Sequence, residues 1–430
     1  MKIKPLSVSV FMVLMLTSFI CNMYAQEMQI LRYTPTQIES LFIENNLQLI
    51  AQEMNISIAD AEIIQAKQWD NPELSIESVN MWASDNQQYE AGLKPFPKDA
   101  QFSIELSQLI KTAGKRGKLV NMAKTSKEIS ILEFEHMLRS LTVELRVLIR
   151  ETEYLQAYEH TLNTQKKSVE SLIEAFEKQV RQRNVAQTEL FRLQSGWIEI
   201  EREINETKTE LNKKQTYLKS LLNISPFTSL QIESSDNETP KPELAWLTDL
   251  LGIGVQSRPD IKIEQLQSEF YKNAFAYEKA QRVPDITLSA AYDRYGGVWK
   301  DFTGIGISFD LPIFNRNKGN IRAAQISLEQ CQHLLSHRQN IAQNEITEAF
   351  ANYSQAYAFY HKIAGNELLS NLDEMLDLYT KNLLNKNISM LEYIDFMESY
   401  RDNKQILISA KREMYISFSE LQFAVGTELK

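Results

Sequence analysis

The chain has 430 residues, of which 43% are hydrophobic and 24% charged, a composition typical of folded proteins with more than one domain. Its formal net charge is −10, and its basic residues are dispersed among acidic ones, which argues against a nucleic-acid partner. Since it contains only 13 glycines and 11 prolines, we expect long regular elements and few turns.

The first residues have the pattern of an export signal. Two lysines precede an apolar run that ends at Ile20, and Ala25 is a small residue at which cleavage can occur. We predict a signal peptide over residues 1–25, because the run is short for a membrane anchor and Ile20 is bulky for lipid attachment at Cys21. Its removal would leave Cys331 as the one cysteine and exclude an intramolecular disulfide. No later segment has the apolar length of a membrane-spanning helix.

The exported part consists of two similar copies of one unit. Residues 45–78 align with residues 258–290, and RNVAQ at 183–187 aligns with KNISM at 386–390. A repeat of this length indicates duplication and not a solenoid of short repeats. The segment between the copies is rich in Ser, Asp and Pro, as expected for a linker or surface loop. The predicted divisions are the signal peptide at 1–25, the first repeat at 26–227, the linker at 228–243 and the second repeat at 244–430.

Each copy is predicted to contain a helix, two strands separated by a loop, and a long helical hairpin. Apolar and polar residues alternate in four segments, as expected for strands with two different faces, although the first strand loses this alternation near Ser78. The predicted strands cover about 72–82, 101–111, 284–293 and 302–312, and the hairpins cover 115–222 and 319–425. Aromatic residues cluster at the strand ends, at Trp69, Trp82, Tyr89, Tyr292, Tyr295, Trp299 and Phe302.

The first hairpin has the pattern of a long coiled coil. From Lys118 to Ser195 the chain contains neither glycine nor proline, and apolar residues recur at spacings of three and four. A helix from Gly117 to Arg183 would be about 100 Å long. No compact domain of this size holds such a helix, so we predict a rod or the wall of a tunnel.

Strands with one apolar and one polar face can lie on a protein core or in a barrel wall between lipid and water. A sheet in a bilayer cannot leave an edge open, because unpaired backbone groups there cost several kcal/mol each. Single-chain barrels begin at about eight strands, so a chain with four strands would have to form a barrel together with other copies. Three chains would supply about twelve strands around a pore. The alternative is a small soluble sheet packed on the helices. The export signal, the strand length and the aromatic residues favour the membrane.

Five segments resemble the repeated signatures of the TolC family of outer-membrane efflux proteins, and they extend along essentially the whole exported chain. They read NPELSIES, SQLIKTAGKRGKL, RPDIKIEQLQ, VPDITLSAAY and FDLPIFNRNKGNI. The resemblance implies a mainly α fold with a small β part. Four strands per chain would form a transmembrane β-barrel of about twelve strands in a homotrimer, and the coiled-coil hairpins would form an α-barrel in the periplasm.

The resemblance also implies a location and two partners. The location is the cell outer membrane of a Gram-negative cell, with the helices extending into the periplasm. The partners are a periplasmic adaptor protein and an inner-membrane pump of the resistance-nodulation-division type. GKRGK is similar to the CzcC/CusC-like branch of the family, which serves heavy-metal efflux.

The segments that join strands to long helices are candidate crossover sites, where the chain leaves the membrane. Pro312 cannot donate a hydrogen bond to a neighbouring strand and is predicted to end strand pairing, and Gly319 follows in the segment that turns into the helix. Gly114 and Gly117 occupy the corresponding segment of the first copy, in which Leu109 stands in place of the proline.

The turns that break the hairpins are candidate partner contacts. The resemblance implies that they form periplasmic tips which meet the adaptor, whereas the residue pattern alone indicates only helical hairpin turns. The family usually has glycine where Arg183 and Lys386 stand. The predicted tip residues are Arg183, Asn184, Val185, Ala186, Lys386, Asn387, Ile388 and Ser389.

Two acids follow the second tip. Glu392 and Asp395 lie on one helix face, because they are three residues apart. The resemblance implies that acids at these positions line the closed periplasmic entrance, where threefold symmetry would turn each into a ring that favours cations. The alternative is that both are ordinary solvated acids.

Metal binding and catalysis find little support in the sequence. His333 and His337 are one helical turn apart and could share a metal with Cys331, but no HExxH motif and no fourth ligand accompany them. We therefore predict a solvated helix face there, with no metal and no cofactor. No nucleophile–base pair and no phosphate-binding loop are recognisable, which predicts that the chain is not an enzyme and that a partner supplies energy.

These patterns favour a passive trimeric duct of a tripartite efflux pump, which exports small solutes, heavy-metal cations among them, across the periplasm and outer membrane. Two alternatives are the exit duct of a type I protein secretion system and a periplasmic coiled-coil scaffold without a pore.

Overall fold

The computed structural model describes residues 29–79, 101–233, 239–294 and 299–429. Several predicted features lie outside these residues, namely the signal peptide at 1–25, the end of the first strand at 80–82, the loop at 83–99, and the aromatic residues Trp82, Tyr89 and Tyr295.

Helices make up most of the described chain. They are α1 Pro35–Asn45, α2 Leu47–Lys67, α3 Lys115–Arg181, α4 Gln187–Leu222, α5 Leu244–Ser257, α6 Pro259–Ala280, α7 Lys318–Ala364, α8 Glu367–Ser370, α9 Leu372–Leu384 and α10 Met390–Val425. The strands are β1 Gln29–Tyr33, β2 Glu73–Val79, β3 Gln101–Ile110, β4 Thr228–Ile232, β5 Ile286–Asp293 and β6 Phe302–Phe309.

The chain divides into two compact units, and each contains residues from both predicted repeats. The first unit comprises the residues up to Ile50, Leu138–Gly254 and those from Glu345 onward. The second unit comprises Ala51–Met137 and Val255–Asn344. Every boundary falls within a helix, since α2, α3, α5 and α7 each contain one. The repeats along the sequence and the compact units in space are therefore different divisions of the chain.

One core of the first unit lies between helices of the two hairpins. Apolar side chains of α3, α4, α9 and α10 pack together there, and the most deeply buried include Leu162, Leu172, Tyr393 and Tyr400. Each fully buried leucine contributes about 1.5–3 kcal/mol through removal of its side chain from water. α3 is continuous over 67 residues. The predicted long coiled-coil hairpins are thus confirmed.

The second hairpin contains a break that the sequence pattern did not predict. The pattern indicated one hairpin over 319–425, whereas α7 ends at Ala364 and the short helix α8 intervenes before α9. Gly365 and Asn366 occupy the break, and both residue types have a low helix propensity. Their weak local preference explains why the helix stops there, while α3 has no glycine in its matching segment.

Two short strands in the first unit were also not predicted. β1 and β4 pair in parallel, with Gln29 opposite Thr228 and Tyr33 opposite Ile232. β4 occupies residues 228–232, at the start of the segment for which the sequence predicted a linker. Its position is held by packing, because Leu230 is 1% exposed and its carbonyl accepts a hydrogen bond of 2.9 Å from Gln215 Nε2.

The second unit contains an antiparallel sheet with the strand order β2-β3-β5-β6, so each copy supplies two neighbouring strands. Ile261 is fully buried in this unit. Nearby, Asp260 pairs with Arg258 at 2.7 Å and with Arg338 of α7. The four predicted strands are confirmed. Across the described ranges, no helix is both long enough and apolar enough to cross a membrane.

Candidate functional site

The antiparallel sheet has two chemically different faces. Leu106 lies opposite Leu74 on one side and Ala290 on the other, and Ala290 lies opposite Ile305, so alternate residues of the four strands share a face. On this face Ile305 is 90% exposed and Ile307 is 68% exposed. The other face carries Glu73, Ser75, Ser103, Glu105, Ser107, Thr287, Ser289, Gly306 and Ser308. An exposed apolar surface of this kind indicates contact with a partner or a membrane.

The first crossover, residues 111–114 between β3 and α3, is tied together with the first residue of α3, Lys115, to the segment that precedes β5. Lys115 is buried, and its Nζ donates to the Val283 carbonyl and to Asp285 Oδ1, both at 2.8 Å. The Thr112 backbone N–H donates to the same carboxylate at 2.8 Å, and its hydroxyl donates to the Pro284 carbonyl at 2.6 Å. The segment after β3, in the first repeat, is therefore hydrogen-bonded to polar groups just before β5, in the second repeat.

The Asp285 carboxyl is stabilised in its charged form. Burial by itself would raise its pKa, but the hydrogen bonds from Lys115 and Thr112 outweigh burial, and the pKa lies below its ordinary value. The group is therefore an anion at neutral pH and holds the Lys115 ammonium in place.

The turn of the first crossover needs one of its two glycines. Ala113 and Gly114 both have positive φ, at 50° and 65°, and this left-handed conformation favours glycine. Gly117 lies inside α3, where a Cβ atom would meet nothing within 4 Å. Of the two predicted glycines, Gly114 thus has a conformational reason to be glycine and Gly117 does not.

The second crossover, residues 310–317 between β6 and α7, is held by an asparagine. β6 ends at Phe309 and Pro312 follows in irregular backbone. Asn317 has φ of 55°, and its Nδ2 donates to the Glu278 carbonyl at 3.0 Å. Asparagine tolerates this conformation better than most residues. Gly319 lies in α7, where a Cβ atom would have open space around it, so the reorientation occurs at Asn317 instead.

The first tip closes α3 with a pair of backbone hydrogen bonds. The Arg183 N–H donates to the Val180 carbonyl and the Asn184 N–H donates to the Gln179 carbonyl, both at 2.9 Å. This is the Schellman arrangement, in which a left-handed residue just beyond the helix lets the chain satisfy the last carbonyls. Arg183 is that residue, with φ of 60°. Ala186 then precedes α4 as its N-cap and offers no side-chain cap.

The second tip has the same geometry. The Lys386 N–H donates to the Leu383 carbonyl at 3.1 Å and the Asn387 N–H donates to the Asn382 carbonyl at 2.9 Å, with φ of 59° at Lys386. Both tips therefore place a long basic side chain where glycine is usual. Next to them, Val185 of the first tip and Ile388 of the second are partly buried against the first unit's core.

The two acids after the second tip have different local surroundings. Glu392 forms a capping box with Ser389, because its carboxylate accepts from the Ser389 N–H at 2.7 Å while its own N–H donates to the Ser389 hydroxyl at 3.2 Å. These hydrogen bonds, first the one from the backbone N–H, hold the pKa of Glu392 below its ordinary value. Asp395 is exposed one turn along α10. Glu392 thus stabilises the start of α10, independently of its predicted role at the periplasmic entrance.

Polar contacts near the tips join α10 to helices of both hairpins. Arg401 Nη1 lies 3.2 Å from Glu203 Oε2 of α4. On the other side, Asp373 of α9 accepts from the Tyr400 hydroxyl and from Lys404 Nζ, both at 2.8 Å. These residues were not predicted, because single charges within a heptad pattern look like any solvated helix charge.

The possible metal ligands in α7 are not brought together. Cys331 is buried, whereas His333 and His337 are exposed, since residues two apart on a helix point to different sides. Over the described residues, no group of three or more His, Cys, Asp or Glu side chains is placed to hold a metal ion.

The residues that hold the crossovers were not predicted from the sequence. Thr112, Lys115, Asp285 and Asn317 are polar residues at strand or helix ends, where such residues usually face solvent. One signal could have suggested Asp285, because VPDITL places it directly before a strand with proline preceding it. Its partner Lys115 is 170 residues away along the chain, and only the folded sheet brings them together.

Comparison with known proteins identifies the fold and gives a family match over part of the chain. Residues 39–223 match the family model described as outer membrane efflux protein. No curated protein matches the sequence. Among solved structures, CusC has 16% identity and a TM-score of 0.72, with 92% of each chain covered. CmeC, the outer membrane channel of Campylobacter jejuni, has 14% identity and a TM-score of 0.72, with 91% of this chain and 85% of CmeC covered. VceC, an outer membrane protein of Vibrio cholerae, has 16% identity and a TM-score of 0.69, with 91% and 96% covered. At these identities the structural matches establish the fold.

Proposed function

We propose that this chain, a member of the outer membrane efflux protein family by the match of residues 39–223 and by its fold, is the outer-membrane channel of a tripartite efflux pump. Three copies of the chain form one passive duct in this function. Solutes move through the duct under the drive of a partner, so the chain itself carries out no catalytic step.

The observation that carries the proposal is the sheet, whose apolar face is exposed and whose two edges are β2 and β6. In a bilayer, unpaired backbone groups at these edges would cost several kcal/mol each. Pairing of β6 in one copy with β2 in the next removes both edges, and three copies give a barrel of about twelve strands. The apolar face then contacts lipid, while the face with serine, glycine and glutamate contacts water.

The location and partners of the duct follow from this placement. With the strands in the outer membrane, the family resemblance implies that the hairpin tips meet an adaptor protein in the periplasm. Arg183 and Lys386, with the three residues after each, are the proposed adaptor contacts. An inner-membrane pump of the resistance-nodulation-division type would supply the energy, in line with the resemblance of the GKRGK segment.

The proposed cargo is the class of small solutes. The GKRGK segment and a ring formed by Glu392 and Asp395 support cations, including heavy-metal cations, as members of that class. Structural similarity does not favour one branch of the family, because CusC and CmeC match with the same TM-score of 0.72.

The proposal is tested with the mature chain purified from membranes. We expect a trimer on heat-dependent gel electrophoresis and stepwise ion conductance in planar bilayers. Ile307→Asp places a charge on the proposed lipid face, where a charged side chain is destabilising, and should weaken assembly in the membrane. Ser308→Asp, one residue along on the opposite face, is the matched control and should conduct.

Three results would contradict all or part of the proposal. A soluble monomer that does not conduct would indicate the periplasmic scaffold instead. Equal insertion of the Ile307→Asp and Ser308→Asp variants would mean that the exposed apolar face does not meet lipid. If the protein conducts ions and cells export a polypeptide through it, the chain is a duct, but of a protein secretion system and not of an efflux pump.

A further inference from the structure

The basic residues of the two crossovers differ in their surroundings. In the first crossover, Lys111 and Lys115 pair with aspartates at 3.0 and 2.8 Å. The Arg116 guanidinium lies over the ring of Trp69, 3.9 Å from its centre, and Lys118 donates to a backbone carbonyl at 2.7 Å. Each of these four cations therefore has at least one partner within the protein itself.

The basic residues around the second crossover are available. Arg282, Arg316, Lys318 and Arg322 form a group that we call the basic patch, and all four are exposed. Their side chains have no hydrogen-bond or ion-pair partner within the part of the chain that the structure describes. The patch thus presents four exposed positive charges, and the acid that the structure shows beside it, Glu278, is bound to Asn317.

The fold brings the members of the basic patch close to one another. Asn317 stands between Arg316 and Lys318, and its Nδ2 donates both to the carbonyl and to the carboxylate of Glu278, at 3.0 and 2.6 Å. Arg282 follows Glu278 by four residues and lies in the turn just after α6, where its N–H donates to the Lys279 carbonyl at 3.3 Å. Lys318 and Arg322 are one turn apart on α7 and share a face.

An exposed apolar segment leads directly into the basic patch. The apolar face of β6 continues past the end of the strand through Leu311 and Ile313, which are 65% and 59% exposed. Phe314 follows and is 99% exposed. Apolar side chains next to basic ones match the order of a lipid, in which acyl chains adjoin a charged headgroup.

We propose that the basic patch binds the phosphate of an anionic phospholipid, whose acyl chains lie against Ile313 and Phe314. The inference rests on the proposed function, because it takes the apolar face of the sheet to be the lipid face. On that basis the second crossover holds the chain in the leaflet nearest the helices, while the first crossover is held by contacts within the protein.

The test measures how much phospholipid the purified full-length mature protein binds. Protein in neutral detergent is mixed with phosphatidylglycerol or with phosphatidylcholine, and bound lipid is counted by native mass spectrometry. We expect a preference for phosphatidylglycerol in the unmodified protein. The triple variant Arg316→Gln, Lys318→Gln, Arg322→Gln should weaken phosphatidylglycerol binding on the order of 100-fold, at ~1 kcal/mol for each cation.

A matched variant controls for the loss of charge alone. Lys167→Gln, Arg192→Gln and Lys381→Gln remove three exposed cations from the helical hairpins, and this variant should bind phosphatidylglycerol as the unmodified protein does. Circular dichroism and the trimer band establish that both variants are folded. Equal losses in the two triple variants, or no preference in the unmodified protein, would overturn the inference.

Two further measurements separate the remaining explanations. If inorganic phosphate at millimolar concentration displaces phosphatidylglycerol completely, the patch is a site for free anions and the lipid inference is wrong. Conductance in a bilayer of neutral lipid tests the proposed function separately. A protein that conducts there but does not prefer phosphatidylglycerol refutes only the lipid site, whereas a protein that never inserts refutes the duct and the site with it.

Discussion

At the residue scale, the first crossover depends on one buried amine. Lys115 is 3% exposed, and it joins the end of β3 to the start of β5 through Asp285. A buried charge is stable only while its partner remains, since an unpaired buried charge is expensive. Asp260, between Arg258 and Arg338, illustrates the same rule within the second unit.

Replacement of Lys115 by alanine should destabilise the protein by about 1–3 kcal/mol. The change leaves the Asp285 carboxylate with the Thr112 donors alone, and it leaves the Val283 carbonyl without its side-chain donor. The midpoint of thermal unfolding should fall accordingly. Lys124→Ala, an exposed position on the same helix, is the control and should shift the midpoint little. Equal midpoints for both variants would mean that the crossover does not depend on this ion pair.

The acid stability of the second unit should depend on Asp260. Burial alone would raise its pKa, but Arg258 and Arg338 together lower it well below the ordinary value. A carboxyl whose folded pKa is depressed stabilises the fold above its unfolded pKa of about 3.9, and this contribution is lost as the pH falls toward the folded pKa. Stability should therefore fall below about pH 4 in the unmodified protein.

The variant Asp260→Asn should remove this dependence. We expect it to be about 2–3 kcal/mol less stable at neutral pH, because two arginines lose their counter-ion, and its stability should change less between about pH 5 and pH 2. Urea unfolding at a series of pH values measures both effects. Asp249→Asn, at an exposed position, should follow the unmodified protein. Parallel pH curves for Asp260→Asn and the unmodified protein would refute the role of Asp260.

At the scale of the elements, the tips reveal how a helix ends without glycine. Both tips use the same pair of backbone hydrogen bonds, and both place a basic residue at positive φ. The left-handed conformation costs a residue with a side chain about 1 kcal/mol relative to glycine. Because of this cost, the arginine and the lysine do not optimise the stability of the turns, which is compatible with the proposed adaptor contact.

Lys386→Gly should therefore raise the stability of the helical hairpin by about 1 kcal/mol while it weakens adaptor binding. Thermal unfolding measures the first effect, and pull-down with the cognate adaptor measures the second. Lys381→Gly removes the same charge from within α9, where glycine costs about 1 kcal/mol, so it should lower stability. A stability loss in both variants would mean that the left-handed conformation carries no strain.

At the scale of the whole molecule, the proposed function depends on what three chains would form together. One chain exposes an apolar sheet face and two sheet edges, and the proposed trimer covers all of them at once. The same symmetry would place three copies of Glu392 and Asp395 around one axis, where their charges add. A ring of this kind acts on cations in the duct, whereas a single exposed acid would have little effect.

The double variant Glu392→Gln, Asp395→Asn should lower the cation selectivity of the reconstituted pore. Glutamine keeps an oxygen that can accept from the Ser389 N–H, so the helix cap is largely retained while the charge is lost. Because the pKa of Glu392 is held below its ordinary value, the unmodified pore should stay cation-selective into mildly acidic solution.

Reversal potentials in a salt gradient measure this selectivity in planar bilayers. Glu398→Gln, an exposed acid farther along α10, is the control and should leave the selectivity unchanged. Unchanged selectivity in the double variant at every pH would show that these acids do not line the conducting path.

The sequence by itself determined the long helices and the four strands of the antiparallel sheet. The heptad pattern between Lys118 and Ser195 requires a long helix, and the alternation at Ile305, Ile307 and Phe309 requires a strand with two faces, because both patterns are local and repeat many times. The break at Gly365 and the strand at 228–232 were missed, since each depends on a few residues of weak preference. Only the tertiary structure decided that Lys115 meets Asp285, that Asn317 carries the reorientation, and that Arg316 and Lys318 stay unpaired within the described chain. Such pairings join residues far apart along the chain, and local patterns contain no information about which distant side chain will be the neighbour.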